Sequence, residues 1–121
     1  MRPTHIMADL SVPDINGARE FYQEYLGLTA QDMGLDWVIR FLDPDGRAAV
    51  QLVTQDATAQ INPAVSVAVG DQVQEAYDEA VRRGYEIVHP LTTEPWGVQR
   101  FFVRAPDGNV INIVGHQDPE S

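Results

Sequence analysis

Part of this chain is written twice, and that repetition limits what it can fold into more than any other feature. Leu10-Ser11-Val12-Pro13-Asp14 is answered 57 residues later by Val67-Ala68-Val69-Gly70-Asp71, and Gly27 is answered by Gly84 at the same offset. Asp43-Pro44-Asp45-Gly46 is answered by Ala105-Pro106-Asp107-Gly108 at an offset of 62. Three matches in one order imply two copies of a supersecondary unit. The growth in offset places a longer loop in the second copy, around Pro90–Gly97.

Both copies share a grammar. A short strand (Ile6–Val12; Val65–Val69) leads to an Asp placed to cap a helix. The first helix is expected over Ile15–Leu26, with Ala18, Phe21, Tyr22 and Tyr25 on its apolar face. The second is expected over Gln72–Arg83, burying Val73, Ala76, Tyr77 and Ala80. Gly27 and Gly84 stand where a left-handed residue ends a helix. Three strands complete each copy: Leu28–Met33, Trp37–Leu42 and Ala48–Val53, then Tyr85–His89, Val98–Arg104 and Val110–Gly115. The Pro-Asp-Gly sequences make the last hairpin turns, Pro presetting the turn and Gly taking positive φ. The expected architecture is α+β: one domain, 1–121, of two βαβββ repeats over about 5–54 and 64–116. A polar linker at 55–63 joins them, and the tail Gln117–Ser121 is expected to fray.

Composition restricts the chemistry. With 44% hydrophobic and 21% charged residues the chain is globular rather than disordered. There is no Cys, which excludes disulfides, thiol nucleophiles and thiolate metal sites. All eight cationic side chains are Arg, so there is no Schiff-base or P-loop lysine. A formal charge of −10 repels phosphate backbones and anionic membranes, so neither nucleic acid nor membrane is an expected partner. No run reaches the roughly 20 apolar residues of a membrane span. Met1–Ile6 holds no signal-peptide core, which leaves the cytoplasm as the expected location.

The tandem βαβββ plan, Val12-Pro13-Asp14, Phe21-Tyr22 with Leu26-Gly27-Leu28, and Pro106-Asp107-Gly108-Asn109 resemble the vicinal oxygen chelate superfamily. That group contains glyoxalase I, the bleomycin-resistance proteins and the extradiol dioxygenases, and the resemblance runs from about Ile6 to Gly115. It implies the glyoxalase/bleomycin-resistance fold, a curved, cup-shaped mixed sheet. Each unit forms half a cup, and two units, often from different subunits of a homodimer, enclose a pocket. In the enzymes of the group a divalent metal sits there. The resemblance also implies the ligand places: a His seven residues before the Asp that opens each helix, and a Glu four residues after the last hairpin Gly. Those places hold Met7 and Ala64, then Val50 or Gln51 in the first unit and Asn112 in the second. None is an imidazole or carboxylate, and neutral amides alone bind divalent ions poorly. No metal and no cofactor are therefore expected.

If Met7 marks the inward face, His5 and Asp9 share it, while Ala8, Leu10 and Val12 pack against the helices. His5 is read as a residue near the rim. Asp9 either pairs with an Arg or receives a donor group of a ligand. In the second unit Ala64, Ser66 and Ala68 give a floor of small residues. Val110, Asn112 and Val114 line the cup and leave Ile111 and Ile113 to the core. Gln51 and Asn112 each offer a donor and an acceptor. Trp37, Trp96, Phe41, Phe101 and Phe102 are the aromatic residues placed to stack on a flat ligand, and of the adjacent Phe101 and Phe102 one faces each side. Arg100 reads as the partner of an acid at the rim, with a ligand clamp as the alternative. No His other than His5 is expected near a pocket strand, since His89 ends its strand ahead of a proline and His116 follows the last strand.

The ligand-binding candidates are thus Met7, Asp9, Trp37, Gln51, Ser66, Trp96, Phe102 and Asn112, with no catalytic residue assigned. The leading expectation is a metal-free binding protein that sequesters a hydrophobic or aromatic natural product, of the antibiotic-resistance type, acting as a homodimer. The alternatives are an enzyme of the same superfamily, a lyase, isomerase or dioxygenase with a non-standard or absent metal site, and a domain with a vestigial pocket. For a metal-free catalyst, Asp9 is the one inward general base.

Overall fold

A computed structural model describes residues 1–116. The chain forms two compact units, Met7–Asn62, and Met1–Ile6 together with the chain from Pro63 onward. The first contains β1 (His5–Ser11, from Met7 on), α1 (Ile15–Glu20), β2 (Thr29–Gln31), β3 (Val38–Leu42) and β4 (Ala48–Val53). β4 runs parallel to β1 and antiparallel to β3, and β3 is antiparallel to β2, so the strands lie in the order β2-β3-β4-β1. Asp14 caps α1 as expected, its Oδ2 accepting the Gly17 N–H at 2.8 Å.

The helix then departs from the expected period. Phe21–Tyr25 is a π-helical turn, closed by the Leu26 N–H on the Phe21 carbonyl at 3.0 Å. The wider turn rotates the side chains that follow Glu20. Tyr22 still packs on the sheet, its ring 5.5 Å from that of Phe41. Phe21 and Tyr25 instead stack on one another in solvent, 53% and 77% exposed, which corrects their placement on the buried face. Ala8 and Leu10 are also exposed rather than packed against a helix. α1 and the π-turn together cover β3 and β4, where Ile39, Phe41, Val50 and Leu52 pack under Ile15, Ala18 and Tyr22.

The segment expected as a linker is itself folded. The Asp56 carboxylate accepts the N–H groups of Thr58 and Ala59 at 3.0 and 2.9 Å. Asn62 binds the Asp56 N–H through its Oδ1 and donates to the Thr54 carbonyl and the Ser11 hydroxyl. Buried Asp56 thereby satisfies backbone donors that a polar loop would otherwise leave to water.

The second unit holds β5 (Val65–Ala68), α2 (Val73–Arg82), β6 (Ile87–Thr93), β7 (Val98–Arg104) and β8 (Val110–His116), with the strands ordered β5-β8-β7-β6. Its N-terminal segment is tied to β5 through the Thr4 N–H on the Ala68 carbonyl at 2.8 Å. A 3-10 turn at Gly70–Gln72 precedes α2, so the residue at its cap is Gln72 and not the expected Asp71. Val69, Val73, Ala76, Ala80, Phe101 and Ile113 form the core, with Tyr77 edge-on to Phe101 at 5.1 Å.

β6 is longer than expected and shifted toward the C-terminus, and it runs through Pro90. Proline has no N–H for the ladder, and the register against β7 slips on both sides of His89. The long loop expected around Pro90–Gly97 shrinks to a tight turn, closed by Gly97 N–H on the Glu94 carbonyl at 3.0 Å, with Gly97 at φ 98°. Residues 117–121 and their expected fraying lie outside the described residues. Among the described residues no helix is long and apolar enough to cross a membrane.

Candidate functional site

Strand alternation sorts each sheet into a face packed on its helix and a face turned away from it. In the Met7–Asn62 unit, Asp9, Gln51 and Arg40 occupy one rung across β1, β4 and β3. Gln51 donates through Nε2 to Asp9 Oδ1 at 2.7 Å and accepts at Oε1 from Arg40 Nη2 at 3.0 Å and Nε at 3.3 Å. Gln51 thus has both ends of its amide engaged. Burial holds the Arg40 guanidinium below its ordinary pKa, and the nearby Asp9 carboxylate pulls it back up. Met7, buried, lies two residues before Asp9 on the same face. Of the two places open at β4, Gln51 is the one on this face, and Val50 belongs to the core under α1.

The other unit carries a richer arrangement. Ser66, Asn112, Phe102 and His89 share one rung across β5, β8, β7 and β6. Asn112 Nδ2 donates to Ser66 Oγ at 3.0 Å, both residues being buried. The adjacent rung brings Arg100 to the same face. Arg100 Nε donates to Glu94 Oε2 at 2.6 Å, and His89 Nε2 meets that oxygen at 3.0 Å. A carboxylate can only accept, so Nε2 of His89 carries the proton. The Arg100 guanidinium lies 5.0 Å from the Trp96 ring and 4.8 Å from the Phe102 ring, which in turn sits 5.1 Å from His89. Trp96, Arg100, Phe102 and His89 thereby form one packed cluster tied to Glu94, in which Phe102 is fully buried, Arg100 and His89 nearly so, and Trp96 part-exposed.

The structure assigns Phe101 to the core and Phe102 to the cluster with Arg100. Arg100 has an acidic partner, but the pair is buried and not at a rim. His89 was expected at the end of its strand and lies inside it. Simple alternation would put it on the side of Ile87, but the slipped register pairs Ile87 with Val103 and His89 with Phe102, turning the imidazole to the opposite face. Trp37 precedes β3 opposite Thr54, whose N–H binds its carbonyl at 3.0 Å, so alternation gives its position the helix-packed side of Ile39. His5 is exposed.

Sequence reasoning overlooked Arg40 and gave Glu94 no role. Arg40 interrupts the apolar run Val38-Ile39-Arg40-Phe41-Leu42, and a lone cation in such a strand needs a partner. Glu94 immediately precedes Pro95-Trp96-Gly97, so the turn that orients Trp96 also orients the acid.

The divalent ion that the resemblance implies does not suit these residues. Met7 offers a thioether and Ala64 no side-chain donor. The Gln51 amide is held at both ends, and the Asn112 NH2 is turned to Ser66. Among the described residues no three His, Cys, Asp or Glu side chains converge. Hard and borderline ions take several charged oxygen or imidazole ligands, which neither face supplies.

The model of the Glyoxalase/Bleomycin resistance protein/Dioxygenase superfamily matches residues 2–113. No curated protein matches the chain in sequence. Among solved structures, one described as an NAD-dependent benzaldehyde dehydrogenase from Legionella pneumophila superposes with a TM-score of 0.72 at 19% identity, covering 93% of this chain and 100% of that one. A glyoxalase/bleomycin resistance protein/dioxygenase superfamily member from Vibrio splendidus gives 0.67 at 17% identity, with 92% and 97% covered. The Mn(II)-bound glyoxalase from Novosphingobium aromaticivorans gives 0.68 at 15% identity over 98% of this chain and 41% of that one. These likenesses show the α+β fold of the family, each βαβββ unit as described above. By the match over residues 2–113, the chain belongs to the glyoxalase/bleomycin resistance protein/dioxygenase superfamily.

Proposed function

We propose that this protein binds a small aromatic molecule without the help of a metal ion and holds it rather than transforming it. The cluster of Trp96, Arg100, Phe102 and His89 carries this reading. Trp96, the part-exposed ring of that cluster, is backed by Arg100 and its buried ion pair with Glu94, and such a fixed ring suits stacking on an aromatic ligand. Offset stacking adds about 0.5–1.5 kcal/mol per ring pair beyond the area buried. The donor sets at Met7 and Gln51, and at Ala64 and Asn112, support the metal-free part of the reading. Asp9, the one inward base considered for a metal-free catalyst, is hydrogen-bonded by Gln51, which favours holding over turnover.

Titration of the purified protein with a panel of planar aromatic natural products tests this. Quenching of Trp fluorescence is expected, undiminished in a chelator-treated sample, with the bound compound recovered unchanged by mass spectrometry. Binding restored only by an added divalent metal, or recovery of a converted product, would overturn it.

A homodimer belongs to the same proposal. Phe21, Tyr25 and Leu26 leave a band of exposed apolar surface at the end of α1 that a second copy would cover. Light scattering at micromolar concentration is expected to give twice the chain mass. The wild-type chain remaining a monomer would overturn it.

A further inference from the structure

The two units treat their equivalent amides differently. Gln51 is satisfied at both ends by Asp9 and Arg40. Asn112, 7% exposed, spends its Nδ2 on Ser66, and its buried Oδ1 has no hydrogen-bond partner. An acceptor left so costs about 1–3 kcal/mol, and buried polar atoms are otherwise almost always satisfied. On one side of Asn112 stands Ser66, which its Nδ2 already binds, and on the other stands Phe102, whose ring cannot donate a conventional hydrogen bond.

We infer that Asn112 Oδ1 receives a hydrogen bond from the ligand, and that the ligand is therefore a planar aromatic bearing an O–H or N–H donor, such as a phenol or an N–H heteroaromatic. The inference rests on the binding reading above and narrows it. Phe102 and Asn112 are partners in the β7–β8 ladder and Phe102 is fully buried, so a ring admitted beside this cluster brings a substituent on its edge toward the carbonyl. The pairing of Arg100 with Glu94 supports a neutral donor over a charged one, since each charge already has its counter-charge. A donor that relieves a buried, unpartnered acceptor contributes discrimination as well as affinity, because an analogue without it leaves the acceptor stranded.

Calorimetry with 2-naphthol and 2-methoxynaphthalene on the wild-type protein, Asn112→Leu and Asn112→Asp tests it. The two probes share a ring system and differ in the donor. Wild type is expected to prefer 2-naphthol by about 5- to 20-fold, the value of a net hydrogen bond to a buried acceptor. Asn112→Leu is expected to bind both equally. Asn112→Asp, which keeps an acceptor, is expected to retain the preference, and it carries the test if the Leu variant does not fold. Equal wild-type affinities, a preference for the ether, or a preference that survives in Asn112→Leu would overturn the inference while leaving aromatic binding intact. Failure of wild type to bind either probe would overturn both.

Discussion

Arg100 Nε lies 2.6 Å from Glu94 Oε2 with both side chains almost sealed from solvent, 6% and 1% exposed. Removing two charges from water costs several kcal/mol per ion, so such a pair holds because its partners are both present. His89 adds a third group to the same oxygen at 3.0 Å. Glu94→Ala strands a buried cation, and a loss of about 3–5 kcal/mol is expected. Urea denaturation checks this. The double variant Glu94→Leu/Arg100→Met is expected to recover part of the loss, because apolar residues of similar volume replace a buried pair at little cost while the His89 Nε2–H loses its acceptor. A double variant as unstable as the single would show that the residues act independently.

The close approach of Gly115 to Gly70 gives a second prediction. A Cβ built on Gly115 in β8 would collide with the Gly70 carbonyl oxygen and crowd Val73. That carbonyl belongs to the 3-10 turn ahead of α2, with Gly70 at φ 61°, so neither backbone yields without shifting the helix. Gly115→Ala is expected to destabilise by about 1–3 kcal/mol or more. The thermal midpoint measures it, and an unchanged midpoint would contradict the packing.

Much of this was legible in the residues, and the parts that were not have identifiable causes. The repeat exposed both βαβββ units because turn chemistry is local: Asp14 caps, and Gly27, Gly46, Gly84 and Gly108 all take the positive φ that their positions demand. Period-2 alternation put Asp9, Ser66 and Asn112 on the faces turned from the helices, as their ladders show, and left the choice between Phe101 and Phe102 to the structure. His89 escaped because a register slip reverses parity, which no count of residues reveals. Phe21 and Tyr25 were misplaced because a π-turn and an α-turn have the same composition and differ only in one hydrogen bond. Arg40, Glu94 and the ends of the amides depend on which side chains meet across strands, and that is fixed by tertiary packing.

The π-turn itself separates two tyrosines three residues apart. Tyr22 is stacked on fully buried Phe41, whereas Tyr25 is 77% exposed. Tyr22→Ala is expected to cost about 2–4 kcal/mol, the range of a large side chain lost from a packed contact. Tyr25→Ala is expected to change monomer stability by less than about 0.5 kcal/mol. Chemical denaturation of both variants at a protein concentration low enough to exclude association gives the comparison. Equal losses would mean that the helix continues in the α form through Tyr25.

Asp43 provides a pH signature. Its Oδ1 accepts the N–H groups of Asp45 and Arg47, each at 3.0 Å, and its Oδ2 accepts Arg47 Nε at 2.9 Å. The Arg47 backbone N–H, foremost, holds the carboxyl below its ordinary value, with the Arg47 charge, the Asp45 N–H and the Arg47 side chain adding to it against a smaller opposing effect of burial. A carboxyl whose pKa is lower folded than unfolded binds more protons in the unfolded chain, so stability rises with pH across the interval between the two values. Its contribution is complete above about pH 5 and is lost as the pH falls through the folded value. Asp43→Asn keeps an acceptor for the turn and has no proton to take up. The stability difference between wild type and this variant is therefore expected to be greatest near neutrality and to move against wild type in acid, while the other carboxylates cancel. Urea midpoints of both proteins from pH 7 to pH 2.5 measure it. A difference that stays constant over that range would mean that the hydrogen bonds at the turn do not distinguish the charged carboxylate from the neutral acid.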